Sequence, residues 1–286
     1  MHFVNAKGIL SGKNGMNVYR GCLHGCIYCD SRSDCYNMRH EFEDIEVKQN
    51  APELLEAALR AKRSRCVIGT GAMSDPYLPL EKELKITQKC LEIIEKHGFG
   101  ADVLTKSDLV LRDIDLLESI NKSAKAVVQM TLTTADNALC GIIEPNVCNS
   151  ERRAEALCEM KKRGIPTVVW LTPLLPFIND TMENLAKVLE MAAEAGVYGI
   201  VSFGMGLTLR SGDREYFYAA LDRHFPSLRE KYSRVYGNRY DLPSPNSDKL
   251  WRYFTEFCDK YGIKRNQDEI FSFMKTIDES EQLTLL

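Results

Sequence analysis

No stretch of this chain comes near the roughly 18–20 consecutive apolar residues of a membrane span. Its opening run, Met1-His-Phe-Val-Asn-Ala-Lys-Gly8, has neither the charged start nor the apolar core of a secretory signal. These two absences point to a cytoplasmic protein. A surplus of either charge is also missing: 37 lysines and arginines face 40 aspartates and glutamates, a net of −3. No global field therefore recruits nucleic acid or an anionic membrane. There are no internal repeats and no low-complexity segments. A disulfide framework is absent too, because seven of the ten cysteines are scattered singly, which suits a reducing compartment. Cys66, Cys90, Cys158 and Cys258 read as packing residues.

What the chain does have is a cysteine loop, Asn17-Val-Tyr-Arg-Gly-Cys-Leu-His-Gly-Cys-Ile-Tyr-Cys29, with the spacing CxxxCxxC. Three soft thiolates at Cys22, Cys26 and Cys29 suit iron–sulfur chemistry. Three ligands on a four-iron cluster leave one iron open, the feature that separates a reactive metal site from a structural one. Gly21 and Gly25 let the backbone approach such a cluster closely. The competing reading is a zinc site completed by Cys35, His24 or His40. Structural zinc sites pair CxxC knuckles, and no second knuckle follows. A second cluster on Cys140, Cys148 and Cys158 has little support, since intervals of eight and ten residues match no compact ligand motif.

Short β-branched runs alternate with amphipathic stretches, the pattern of a parallel sheet with crossover helices. Strands are expected over 15–21, 65–71, 101–106, 126–133, 166–171 and 198–204. Helices are expected over 52–63, 82–97, 109–122, 151–163 and 181–195, with Pro52 in a first turn and Asp180 as an N-cap. Six such alternations, each right-handed by default, indicate an α/β fold of the partial (β/α)6 TIM-like barrel type; a flat doubly wound sheet is the alternative. In a barrel the chemistry gathers at the C-terminal strand ends. Glycines and polar residues fall there: Gly69 to Asp75, Thr105 to Ser107, Thr131 to Thr134, Thr172 and Gly204. Beyond about residue 210 the rhythm changes to helices over 214–225, 227–236, 248–261 and 268–280, with dense aromatics. This divides the chain into a barrel over 1–210 and a helical C-terminal extension over 211–286, packed against the side that six strands leave open.

The run from Asn17 to Cys29 resembles the motif of the radical S-adenosylmethionine (SAM) superfamily. The longer pattern is similar to the branch containing spore photoproduct lyase and the DNA repair photolyase-like proteins. That likeness is carried by Ser74-Asp-Pro-Tyr-Leu-Pro-Leu-Glu81, Leu104-Thr-Lys-Ser107, Thr131-Leu-Thr-Thr-Ala-Asp136, Glu144-Pro145 with Arg153, and Pro173-Leu-Leu-Pro-Phe-Ile-Asn-Asp180. It covers roughly residues 15–210. The resemblance implies one 4Fe–4S cluster on Cys22, Cys26 and Cys29, with SAM on its open iron. It implies that Tyr28 lies beside the adenine, that Ser74 and Asp75 meet the methionyl group, and that Lys106 reaches the carboxylate. Thr131 stands where relatives have a serine, and Arg153 and Glu144 are weaker candidates for the ligand rim. Reductive cleavage of SAM to a 5′-deoxyadenosyl radical and abstraction of hydrogen from a substrate would follow, fed by a one-electron donor such as flavodoxin or ferredoxin.

One departure is specific. The lyase carries a hydrogen-donating cysteine just before the serine matching Ser74, and here that position is Met73. The lyase's own reaction is therefore not expected, and the substrate stays open. The reading from another class is a non-catalytic, metal-stabilised nucleic-acid-binding module. Its one candidate surface, Arg223, Arg229, Lys231, Arg234 and Arg239 among tyrosines, is interleaved with Asp222, Glu230 and Asp241, as a solvated helix face would be.

Overall fold

The computed structural model describes residues 1–277. The chain begins with β1 (His2–Val4), β2 (Gly15–Met16), β3 (Tyr19–Arg20) and β4 (Glu46–Lys48). The strand expected over 15–21 is thus two strands in two sheets. β2 pairs in parallel with β5 (Val67–Thr70), while β1 and β3 flank β4 in a separate sheet. The switch comes at Val18, whose carbonyl accepts the Lys48 N–H at 3.0 Å and so commits the chain to β4.

Between β4 and β5 runs α1 (Ala51–Ala61), with Pro52 in its first turn, where a missing N–H costs nothing. The next expected helix is broken into α2 (Glu81–Leu84) and α3 (Ile86–Lys96) by Lys85 at φ +52°. The buried Glu81 carboxylate explains the break. It accepts the N–H groups of Thr87 and Gln88, capping α3 from the side, and also takes the Tyr19 hydroxyl and Arg112. β6 (Gly100–Thr105) follows, then a 3-10 stretch over Asp108–Asp113 leading into α4 (Ile114–Ser123), where one α-helix was expected.

The wall continues with β7 (Ala126–Thr131), α5 (Asn137–Ile143), α6 (Ser150–Lys162), β8 (Thr167–Trp170), α7 (Met182–Glu194) and β9 (Gly199–Val201). The expected cap of α7 is corrected. Thr181, not Asp180, accepts the Asn184 N–H, because Asp180 is drawn away to the Ser244 hydroxyl.

All six strands of the main sheet are parallel, in the order β2-β5-β6-β7-β8-β9. Strand order follows chain order without the reversal of a doubly wound sheet. The apolar faces of α1, α3, α4, α6 and α7 pack in one core with Val103, Val128, Val169 and Ile200. The opposite sheet face, carrying Val127, Val168 and Val201, packs instead on Ile270 and Met274. Helices outside and a filled interior define an open barrel wall rather than a flat three-layer sheet.

The later elements are β10 (Gly206–Thr208), α8 (Asp213–His224), α9 (Leu228–Tyr236), β11 (Asp241–Pro243), α10 (Ser247–Tyr261) and α11 (Gln267–Lys275). β10 and β11 form an antiparallel pair beside the cavity, which the turn-rich 238–246 segment concealed. α11 supplies Ile270 and Met274 to the barrel interior. Lys264 bridges to Gly199 on the open edge strand β9. Residues 278–280 of the helix expected over 268–280 lie outside the described residues.

Candidate active site

The C-terminal ends of the strands open on one cavity of about 710 Å³, within the range of enzyme ligand pockets. Cys22, Cys26, Cys29, Tyr28, Ser74, Asp75, Lys106 and Thr131 all line it. The loop after β2 and β3 delivers the cysteines. Three contacts hold that loop: Cys22 N–H donates to the Phe42 carbonyl at 3.1 Å, Ile27 N–H to Ile143 at 3.0 Å, and Asn146 Nδ2 to Leu23 at 2.8 Å. Gly21 sits at φ +87°, and a Cβ there would lie 2.4 Å from the Phe42 oxygen. Only glycine permits that approach.

Burial pushes the Cys22 thiol up to about 12, and it raises Cys26 and Cys29 above the ordinary thiol range as well. Thiolates in this setting need a cationic partner to exist. A single zinc ion bound by all three would hold its sulfurs about 3.8 Å apart. Among the described residues the three sulfurs are not gathered even within 4.8 Å of one another. Of the residues invoked to complete a zinc site, His24 lines the same cavity, while Cys35 and His40 do not. Cys35 accepts a hydrogen bond from Arg210 at 3.4 Å, His24 Nδ1 lies 3.4 Å from Asp75, and His40 Nδ1 donates to the Glu41 carbonyl. Three soft donors around an open cavity suit a thiophilic metal.

The loop after β5 forms the adjacent wall. Gly71 (φ +101°) turns it so tightly that a Cβ would meet the Leu104 oxygen at 1.9 Å. Ser74 Oγ donates to the Gly21 carbonyl at 2.6 Å, tying this wall to the cysteine loop. Asp75 Oδ1 accepts from Tyr77 N–H and Thr105 Oγ1, at 2.8 and 2.7 Å. Its Oδ2 accepts the Lys106 N–H at 2.8 Å. Asp75 therefore clamps two strand ends together while its edge faces the cavity. The Lys106 ammonium stands 5.8 Å from the Tyr28 ring centre. Burial opposes its charge, yet Cys26 and Glu144 hold its pKa above the ordinary lysine value.

Arg153 departs from the expectation of a ligand-facing side chain. It does not line the cavity, because burial leaves no exposure and Glu144 claims its guanidinium in a pair equally hidden from solvent. Its other nitrogens donate to the Cys148 and Thr131 carbonyls, each at 2.9 Å. Glu144 in turn accepts the Tyr28 hydroxyl. Burial would lift the Glu144 carboxyl, but Arg153 and Lys106 hold it below the usual range. Arg153 is thus linked to the cavity-lining Tyr28 through Glu144.

Cys140, Cys148 and Cys158 occupy three separate settings. Cys140 faces Arg153 and Glu144, Cys148 donates to the Lys106 carbonyl, and Cys158 packs on the outer core. Of the tyrosines among the C-terminal cations, Tyr232 and Tyr236 turn inward, while Tyr240 stays half-exposed. Tyr232 is fully buried, and Tyr236 packs with Phe217 and Phe177 in the same cluster. Sequence reasoning missed the outer mouth: Trp170 and Phe203, with ring centres 5.7 Å apart, and Tyr36, Arg210 and Tyr240. The strand-end rule could have flagged Trp170 and Phe203, which close β8 and follow β9. Nothing in the sequence aligned the other three.

The strand ends of a parallel β/α barrel wall thus gather three cysteines, an ammonium and a clamped carboxylate on one cavity. A family model described as the radical SAM superfamily matches residues 16–192, and the chain belongs to that superfamily. It is a radical SAM enzyme. An uncharacterised protein of Mycobacterium tuberculosis is 27% identical over 87% of this chain and 74% of its own length. Another, from Methanocaldococcus jannaschii, is 34% identical over 62% of this chain and 66% of its own. Among solved structures, a spore photoproduct lyase C140S mutant overlays with a TM-score of 0.62 at 12% identity, covering 90% of this chain and 77% of that one. That likeness is one of fold.

Proposed function

We propose that Cys22, Cys26 and Cys29 hold one 4Fe–4S cluster and that SAM lies between the cluster and the walls of the cavity. Bound together, these groups supply a reductively generated carbon radical that removes hydrogen from a substrate. The residues of the chain bind, orient and shield. Tyr28 offers a ring face to the adenine, held in plane by its bond to Glu144. Lys106 offers its ammonium to the carboxylate. Ser74, Asp75 and Thr131 present polar edges to the methionyl group. Trp170 and Phe203 give the outer cavity an apolar wall against which a substrate is held close and water is excluded. Residues 211–286 act in this reading as an extension that completes the mouth through β11.

The observation that carries the proposal is the convergence of three thiols and the strand-end polar groups on one cavity. Met73 occupies the position where the resemblance places a hydrogen-donating cysteine, so we assign no lyase-type hydrogen return. A flavodoxin- or ferredoxin-type protein is the proposed electron donor. Anaerobic reconstitution should give about four irons per chain, and dithionite with SAM should yield 5′-deoxyadenosine. Cys26→Ala should lose iron and turnover together. Absence of 5′-deoxyadenosine from fully loaded protein, even with cell extract added, would defeat the proposal.

A further inference from the structure

His2, His40 and Asp44 each offer one ligating atom, and the three atoms lie within 4.8 Å of one another, as no other trio of His, Cys, Asp or Glu among the described residues does. We propose that they form a second metal site, separate from the cysteine cavity, for a borderline divalent ion of the zinc type. Two imidazoles and a carboxylate are donors for such an ion rather than for magnesium, calcium or an iron–sulfur cluster.

The His40 ring is already set up for the task. Its Nδ1 lies 3.0 Å from the Glu41 carbonyl, which can only accept, so Nδ1 carries the hydrogen. Metal-bound histidines are fixed by the same kind of backbone contact. Its Nε2 is buried and has no hydrogen-bond partner. It faces Glu46 Oε2 across 3.8 Å. With Nδ1 engaged, Nε2 is the ring atom left to act as a ligand. The His2 ring meets His40 edge-on, with centres 4.8 Å apart at 89°. His2 Nδ1 is 2.9 Å from Asp44 Oδ2, while the Met1 amino group takes Asp44 Oδ1 at 2.9 Å.

The location gives the site a use. His2 lies on β1, and His40 and Asp44 on the loop between β3 and β4. The same loop carries Phe42, whose carbonyl receives the Cys22 N–H and crowds Gly21. An ion here would staple β1 to the loop that backs the first cysteine. It would stiffen that support without touching the cavity, whatever reaction the cavity performs.

The test is a titration of Zn²⁺ alone into holoprotein whose three cysteines are occupied by their cluster, followed by competition with a chromophoric chelator. One equivalent should bind and raise the thermal midpoint. His2→Gln, His40→Gln and Asp44→Asn should each weaken binding by about tenfold or more, with iron content unchanged. His2 is half-exposed, so His2→Gln keeps the test decisive if the His40 variant fails to fold. Absence of a saturable equivalent, or equal binding in wild type and His2→Gln, would overturn the proposal. So would zinc uptake that vanishes only when the cysteines are replaced.

Discussion

Arg153 and Glu144 form an ion pair from which solvent is entirely excluded, and Glu144 extends it to the Tyr28 hydroxyl. Removing one member of such a pair strands a buried charge, which costs about 3–5 kcal/mol. Arg153→Met should therefore destabilise the fold by that amount in urea or thermal unfolding. Arg153→Met with Glu144→Gln should recover much of the loss, since neither charge then remains. A single variant no less stable than wild type would show that the pair does not carry its own desolvation.

Tyr28 separates stacking from hydrogen bonding. Tyr28→Phe deletes the contact to the charged Glu144, worth about 1.5–3 kcal/mol of stability, but keeps the ring. Tyr28→Ala removes both. On the proposed placement of adenine, SAM affinity should fall slightly in the first and steeply in the second, as measured by equilibrium binding to cluster-loaded protein. Equal losses would place the adenine elsewhere.

Lys106 is the cation on the inner cavity wall beside Cys26 and Tyr28, Arg210 standing at the outer mouth. A hydrogen bond to a charged group is worth about 1.5–3 kcal/mol, so Lys106→Met should weaken SAM binding roughly ten- to hundredfold. Iron content should not change, because Asp75 holds the Lys106 backbone rather than its side chain. Loss of the cluster would assign the lysine to cluster assembly instead.

The barrel interior makes a prediction about pH. Asp102 accepts from Gln129, which in turn accepts the Trp170 indole N–H. Burial pushes the Asp102 carboxyl up to about 7, against the pull of Gln129 and Lys275. An unfolded aspartate titrates near 3.9. Between those values the native state keeps a proton that the unfolded chain releases, so the contribution of Asp102 to stability falls as pH rises from about 4 to 7. Asp102→Asn preserves the acceptor and removes the titration. The variant should match wild type below about pH 4, where the acid is protonated in both states, and exceed it in unfolding free energy by a growing margin up to about pH 7. A difference independent of pH would contradict the buried-acid reading.

The cysteine loop and the strand-end polar groups were legible because spacing and periodicity are local properties. That Tyr28, Ser74, Asp75, Lys106 and Thr131 share one cavity with the three thiols follows from strand ends alone. The fate of Arg153 was not legible, because its partner Glu144 sits nine residues earlier at the far end of another helix. Asp180 reads as a cap until Ser244, 64 residues later, takes its carboxylate. The short strands β1 and β4 carry too few residues for a period to register. The inward course of α11 depends on an open edge that only the assembled barrel possesses.

Gly71 ties the backbone of one strand end to the geometry of the whole site. Its φ of +101° is closed to other residues at low cost, and an added Cβ would stand 1.9 Å from the Leu104 carbonyl oxygen. Strained backbone of this kind costs about 1–3 kcal/mol before any clash is counted. Gly71→Ala should therefore lower stability by more than that and push the 72–75 loop away from β6. The Ser74 bond to Gly21 and the Asp75 bond to Lys106 N–H would then lengthen together. The variant should still take up iron through its unaltered cysteines while binding SAM poorly. Iron analysis and SAM titration on the same preparation check this. Intact SAM affinity in Gly71→Ala would mean that the loop after β5 has no part in holding the ligand.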